Sequence, residues 1–167
     1  MALIIEDGSI VSGANSYVTI SGANEYFTAY NDTRWLIGVS DVNKEAAIMK
    51  GMRYIESLDW KGTTVSGSQP LQFPRTGLED RDGRDVATNV VPEVVKRAVY
   101  EAAVRSVSGP APLQPDLERG GRVSAEQVGS ISRAYSRSAP SGAFITTIRG
   151  LLKGMLKGGS IINIERA

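Results

Sequence analysis

The sequence contains neither cysteine nor histidine. The first absence excludes disulfides and thiolate metal sites. The second removes the commonest general base and the commonest metal ligand together. A hydrolytic triad or a zinc centre is nearly excluded, and only carboxylate chemistry remains. The chain therefore reads as non-enzymatic and without a cofactor. Long apolar runs are missing as well: no stretch approaches the roughly 20 apolar residues of a membrane span. The opening Met1–Ser9 has a short apolar run without a basic flank, so neither a signal peptide nor a membrane partner is expected. A dominant charge is also absent. Lys+Arg number 19 and Asp+Glu 18, a formal net charge of +1, so overall charge selects no partner. Aromatic residues make up only 7% of the chain, and no stacking platform is evident in their spacing.

What is present fits one domain with appended arms. At 167 residues a single core suffices, since chains of this size bury roughly 70% of their extended surface. Charge is unevenly distributed. From Met1 to Trp60 four bases face eight acids, whereas from Gln127 onward six bases face Glu165 alone. An acidic front and a basic tail suit a protein that meets different partners at its two ends; chance asymmetry of a solvated surface is the alternative.

Helical periodicity appears in four places. Ser21 is a candidate N-cap for a short helix carrying Ala23, Tyr26, Phe27 and Tyr30. Ser40 or Asp41 caps a longer one running to about Leu58. Its Ala47, Ile48, Met52, Ile55 and Leu58 form one apolar stripe, with Lys44, Glu45, Lys50, Arg53 and Glu56 mainly off it. A third helix has Pro92 in its first turn and ends at Gly109-Pro110. Its Ala98, Ala102, Ala103 and Ser106 are small enough to admit a neighbouring helix closely. The fourth is C-terminal: Phe144, Ile145, Ile148, Leu151, Leu152, Met155 and Leu156 can share one face, with Arg149, Lys153 and Lys157 on the other. Gly150 and Gly154 each weaken it by about 1 kcal/mol relative to Ala, so it needs a surface to pack on.

Between the helices the pattern is irregular. Leu3–Ile5 reads as a short strand followed by a polar turn at Glu6–Ser9. Residues 61–91 form an unusually long loop, a feature that is usually functional. Within it Phe73-Pro74-Arg75-Thr76-Gly77 reads as a fixed turn. A small β-hairpin is expected between Arg122 and Arg137.

Three clusters could carry function. Glu79–Asp85 alternates acids and bases around Gly83; it is either a divalent-cation loop or a solvated turn, and its lack of regular ligand spacing favours the turn. Arg119, Arg122, Arg133 and Arg137, with Tyr135 among them, could line a nucleic-acid groove, protect a hairpin edge, or face DNA in a ring lumen. The C-terminal basic amphipathic segment could dock on a partner, complete the chain's own core, or lie on a membrane. Its glycines and its Ile161, Ile162 and Ile164 tail favour the partner. The glycines and lysine around Gly154–Ser160 do not follow the order of a phosphate-binding loop.

Several of these segments together carry a resemblance. Ala14–Phe27 (ANSYVTISGANEYF), Trp35, Lys44–Ala47, Tyr54-Ile55, Trp60–Gly62, Phe73–Gly77, Val91–Ala98, Gly120–Val123 and Val128-Gly129 occur in the order seen in one phage protein family. That family comprises tailed-phage head–tail connector, or head-completion, proteins, often described as DnaT-like single-stranded-DNA-binding proteins. The resemblance spans roughly Ala14 to Tyr135 and implies a mainly α fold: a small helical bundle with a long central loop, a small hairpin and an extended C-terminal arm. Residues 1–137 would form the adaptor domain and residues 138–167 the arm.

The resemblance further implies a virion protein, made in the host cytoplasm, that forms a ring, typically dodecameric. The ring would join the portal protein to a tail-side connector or terminator, with double-stranded DNA passing through it. On this reading Phe144, Ile145, Ile148, Leu151, Leu152, Met155, Leu156, Ile161, Ile162 and Ile164 bind the portal. Arg122, Arg133, Arg137, Lys153 and Lys157 face the lumen, and Phe73, Pro74, Arg75, Arg81 and Arg84 contact the neighbouring subunit. The alternative is a single-stranded-DNA-binding protein of phage replication using the same arginines with Tyr135, Lys153 and Lys157. Near-zero net charge, few aromatics and no visible stacking platform weigh against it.

Overall fold

The computed structural model describes residues 2–108, 125–128, 131–134 and 146–157, the hairpin strands by their backbone alone. The order of elements is α1 (Ile20–Ala29), α2 (Thr33–Leu36), α3 (Asp41–Glu56), β1 (Thr63–Thr64), β2 (Arg75–Thr76), α4 (Glu93–Ser108), β3 (Ala125–Val128), β4 (Ile131–Ala134) and α5 (Thr146–Leu151). The chain is mainly helical, as the spacing of its apolar residues implies.

The centre of the molecule is the pair α3 and α4. Ala47, Ile48, Met52 and Ile55 of α3 are buried against Val95, Ala98, Val99, Ala102 and Ala103 of α4. Gly51 lies at the crossing. A Cβ there would stand 3.0 Å from Ala103 N and 3.1 Å from Val99 O, so the two backbones meet where side chains are smallest. Lys44 departs from expectation. It is buried, because its ammonium donates to Asn24 Oδ1 at 3.0 Å and lies over the Trp35 ring. The same Asn24 oxygen accepts from Trp35 Nε1 at 2.9 Å, so one amide ties α1, α2 and α3 together.

Capping corrects the start of α1. Thr19, not Ser21, accepts from Gly22 N at 2.9 Å, and the helix begins two residues before Gly22. Ser40 caps α3 by accepting from Asn43 N. The expected strand at Leu3–Ile5 is reduced to one bridge between Ile5 and Ser16. Its following turn is not solvated: Glu6 is fully buried, and its carboxylate accepts from the backbone N–H groups of Gly8, Ile10 and Val11 at 2.8–3.0 Å.

The 61–91 segment is packed rather than open. β1 and β2 pair antiparallel, Thr63 with Thr76 and Thr64 with Arg75. Gly62 permits that approach, since at φ +66° a Cβ would meet Thr76 O at 2.3 Å. Phe73 is fully buried, edge-on to Trp60 at 4.8 Å and to Tyr17 at 5.8 Å. A buried polar chain fixes the segment. The Tyr17 hydroxyl donates to Glu56 Oε1 and accepts from Phe73 N at 3.0 Å, and Glu56 Oε2 accepts from Gln72 N at 2.8 Å. The Arg75 guanidinium donates to Lys61 O, Gly62 O, Gln72 O and Gln72 Oε1. Phe73, Pro74 and Arg75 were expected at a subunit interface, but they are buried within their own chain.

The C-terminal segment also folds onto the domain. Ile148, Leu152 and Met155 are buried in the common core. Beyond α5, Gly154 turns the chain at φ +99°, close against the Arg81 backbone. Lys61 N then donates to Met155 O and Lys157 N to Asp59 O, fastening residues 155–157 to the end of α3. The expected portal-binding residues Ile148, Leu152 and Met155 thus complete the chain's own core, because they supply apolar surface that α4 leaves uncovered. Of the same set, Leu151 and Leu156 are half-buried, and Phe144, Ile145, Ile161, Ile162 and Ile164 lie outside the described residues.

Two expected outcomes follow from this packing. Leu152→Ala should destabilise the whole domain by about 2–5 kcal/mol, the range for truncating a buried leucine, as read from urea unfolding followed by circular dichroism. A detached arm would leave that transition unchanged. The second concerns Glu56, whose carboxyl is pushed up by burial against the lowering effect of its hydrogen bonds. A folded-state pKa above the unfolded value gives a contribution that is full at low pH and lost as pH rises through the raised value. Asp32 and Asp80 are held low and act in the opposite sense, so the variant Glu56→Gln isolates the effect. The stability of wild type relative to Glu56→Gln should shrink as pH rises from about 4 to about 7; a difference that grows would refute the assignment.

Candidate nucleic-acid interface

The sequence-predicted site residues divide into three groups. Arg122 and Arg137 lie outside the described residues, and Arg133 is placed only by its backbone, on β4 opposite Glu126 of β3. Arg81 and Lys153 come together in a groove of about 820 Å³ between the 80–86 turn, the start of α4, and α5. Lys157 is exposed, its backbone tied to Asp59.

The groove is a poor cradle for phosphate. Asp80, Asp82 and Glu93 line it beside the two cations. Asp80 is committed to its own turn: its carboxylate accepts from Asp82 N at 2.8 Å and Arg84 N at 2.9 Å, which together hold it below the usual carboxylate range. Arg84 pairs with Asp82 at 3.3 Å and more loosely with Asp80. The Glu79–Asp85 cluster is thus a hydrogen-bonded turn. Asp80 points at the turn's own backbone and Asp82 at the Arg84 side chain, so the solvated-turn reading of this segment describes it better than the cation-loop reading.

A different face, on α1 and α4, gathers aromatic rings and charged groups. Tyr30 is the C-cap residue of α1 and is 68% exposed. Its ring meets Tyr26 with centroids 4.9 Å apart and a tilt of 53°, and Tyr26 packs on Tyr100 of α4 at 5.0 Å with a tilt of 31°. Three tyrosines therefore form a row that begins in the core and ends in solvent. Below it, Phe27 lies against Trp35 and Tyr100 and anchors α1.

Charged groups border this row. Tyr26 donates its hydroxyl to Glu101 Oε1 at 3.2 Å, and Glu101 pairs with Arg105 at 2.8 Å. Burial, then the Glu101 charge, push the Tyr26 phenol well above its ordinary range, so it stays a neutral donor; the Arg97 charge pulls the other way. Arg34 forks onto Asp32 through Nε at 2.9 Å and Nη2 at 2.5 Å, and also feels Glu101. Arg97 is half-exposed and held only loosely, 3.9 Å from Glu93. Guanidinium groups and exposed aromatic rings are the two elements of sequence-tolerant single-strand recognition.

Sequence reasoning missed this site. Tyr26 and Tyr30 follow Ala23 and Phe27 at core spacing, and Tyr100 carries no signal except its place in α4. The one available sign was Asn31-Asp32 directly after Tyr30. It ends the helix, and Asn31 takes φ +50°, so Tyr30 is left at an exposed helix end. The spacing of the aromatic residues did not reveal this row, which the fold assembles from α1 and α4.

The model of a family described as "Putative DnaT-like ssDNA binding protein" matches residues 1–167. No curated protein and no solved structure matches. The expectation of a virion structural protein joining portal to tail is corrected by the family match, whose description concerns single-stranded DNA and gives no support to an adaptor. With residues 1–167 covered by the family model, this chain belongs to the family described as DnaT-like single-stranded-DNA-binding proteins.

Proposed function

We propose that the protein binds single-stranded DNA, with no chemistry of its own, through stacking on an aromatic face assisted by arginines. The observation that carries this reading is the solvent-facing end of the Tyr100–Tyr26–Tyr30 row, with Arg97 one turn before Tyr100 on α4 and Arg34 on α2 just after the end of α1. Membership of the family points the same way. A single strand offers bare base faces to such a row, whereas a duplex hides them by stacking them on one another. The chain's near-neutral net charge limits the general attraction to phosphate that drives non-specific duplex binding. Base stacking is then the main source of affinity and of strand selectivity. Arg122, Arg133 and Arg137 supply a second, electrostatic contact.

Fluorescence anisotropy with a labelled oligonucleotide and its duplex tests this. Single strand should bind more tightly than duplex, and affinity should fall with salt. Each phosphate contact on a single strand contributes about −0.7 to the slope of log K against log salt. Changing Arg122, Arg133 and Arg137 together to Gln should make the slope shallower by about 2. Equal affinity for both forms, or no binding to either, would overturn the proposal.

A further inference from the structure

From the ring geometry we infer that Tyr30 is the primary base-stacking residue and that Arg97 holds the adjoining phosphate; this inference rests on the single-strand reading above. Tyr30 meets Tyr26 with its ring inclined at 53°, and is otherwise exposed. A large apolar ring at a helix end is normally covered; here the backbone turns away at Asn31 and leaves it in solvent. A base placed on it would extend the existing row by one member. Because Tyr26 and Tyr100 already fix the row, little side-chain freedom is lost when the base arrives.

The arginines divide by commitment. Arg34 spends two donors on Asp32 and Arg105 spends its own on Glu101. Arg97 lies one helical turn before Tyr100 on α4, with one long contact to Glu93, and its other donors are the most readily redirected to a phosphate. The acids Asp32, Glu93 and Glu101 offset the cations of this face, Glu93 facing both Lys96 and Arg97. Stacking must therefore supply most of the affinity at this site, and its share should be nearly insensitive to salt.

The experiment uses the full chain and an oligo-deoxythymidine of about 20 nucleotides, long enough to cover a site of ordinary size. Tyr30→Ala should weaken binding about tenfold, corresponding to the value of one stacked base, by nearly the same factor at low and high salt. Tyr30→Trp should retain binding, and its added fluorescence should be quenched on titration with the oligonucleotide. Arg97→Gln should weaken binding severalfold and make the salt slope shallower by about 0.7. Wild type that binds as tightly as Tyr30→Ala overturns this site and leaves the single-strand reading standing. Wild type that does not bind at all overturns both. Loss of the melting transition in Tyr30→Ala would mean the ring is structural; the absence of quenching in Tyr30→Trp then decides against stacking.

Discussion

The hydrogen bond from the Tyr17 hydroxyl to Glu56 holds the largest irregular part of this molecule in place. It joins the N-terminal segment to the end of α3, and each partner also accepts a backbone N–H from the 72–73 turn. Burying a carboxylate is expensive unless its oxygens are satisfied. Both are satisfied here, and removing any member strands the others in a low-dielectric interior. This explains how about thirty residues with little regular structure stay ordered. Phe73 is thereby held under Trp60 and Tyr17, and Arg75 reaches back to the carbonyls of residues 61 and 62. The residues that mark the family resemblance in these segments are, in the main, members of this scaffold.

The scaffold in turn sets the face proposed to bind DNA. Gly51 lets α3 lie close on α4, and Asn24 ties α1 to α2 and α3. With α1 fixed across α4, Tyr26 meets Tyr100, and Tyr30 is carried to the surface as the helix ends. A rigid helical support holds stacking rings in register better than a loop, and less ordering remains to be done on binding. The C-terminal segment covers the other side of α4, which explains why a segment that reads as a detachable arm is part of the core.

Much of the helical framework was legible in the sequence. The α3 stripe, the small residues of α4, the Ser40 cap and the hairpin near residues 125–134 all follow from local patterns that repeat with the period of their element. The 61–91 segment was legible only as irregular. Its order comes from Tyr17 and Glu56, 56 and 17 residues away from Phe73 in the chain, and no local rule connects them. Lys44 and Glu6 were misread for the same reason. A charged residue looks solvent-facing until its partners are known, and these partners are distant in sequence or belong to the backbone.

By itself, the sequence determined the class of fold, the position of its main helices and the exclusion of histidine and cysteine chemistry. These depend on residue type and short spacing, which a linear chain displays directly. Only the tertiary structure decided which aromatic rings meet, which arginines are already committed, and that the C-terminal apolar residues serve the chain's own core. Each of those depends on the crossing of helices far apart in sequence. Three tyrosines at positions 26, 30 and 100 become one surface only when α1 has packed across α4.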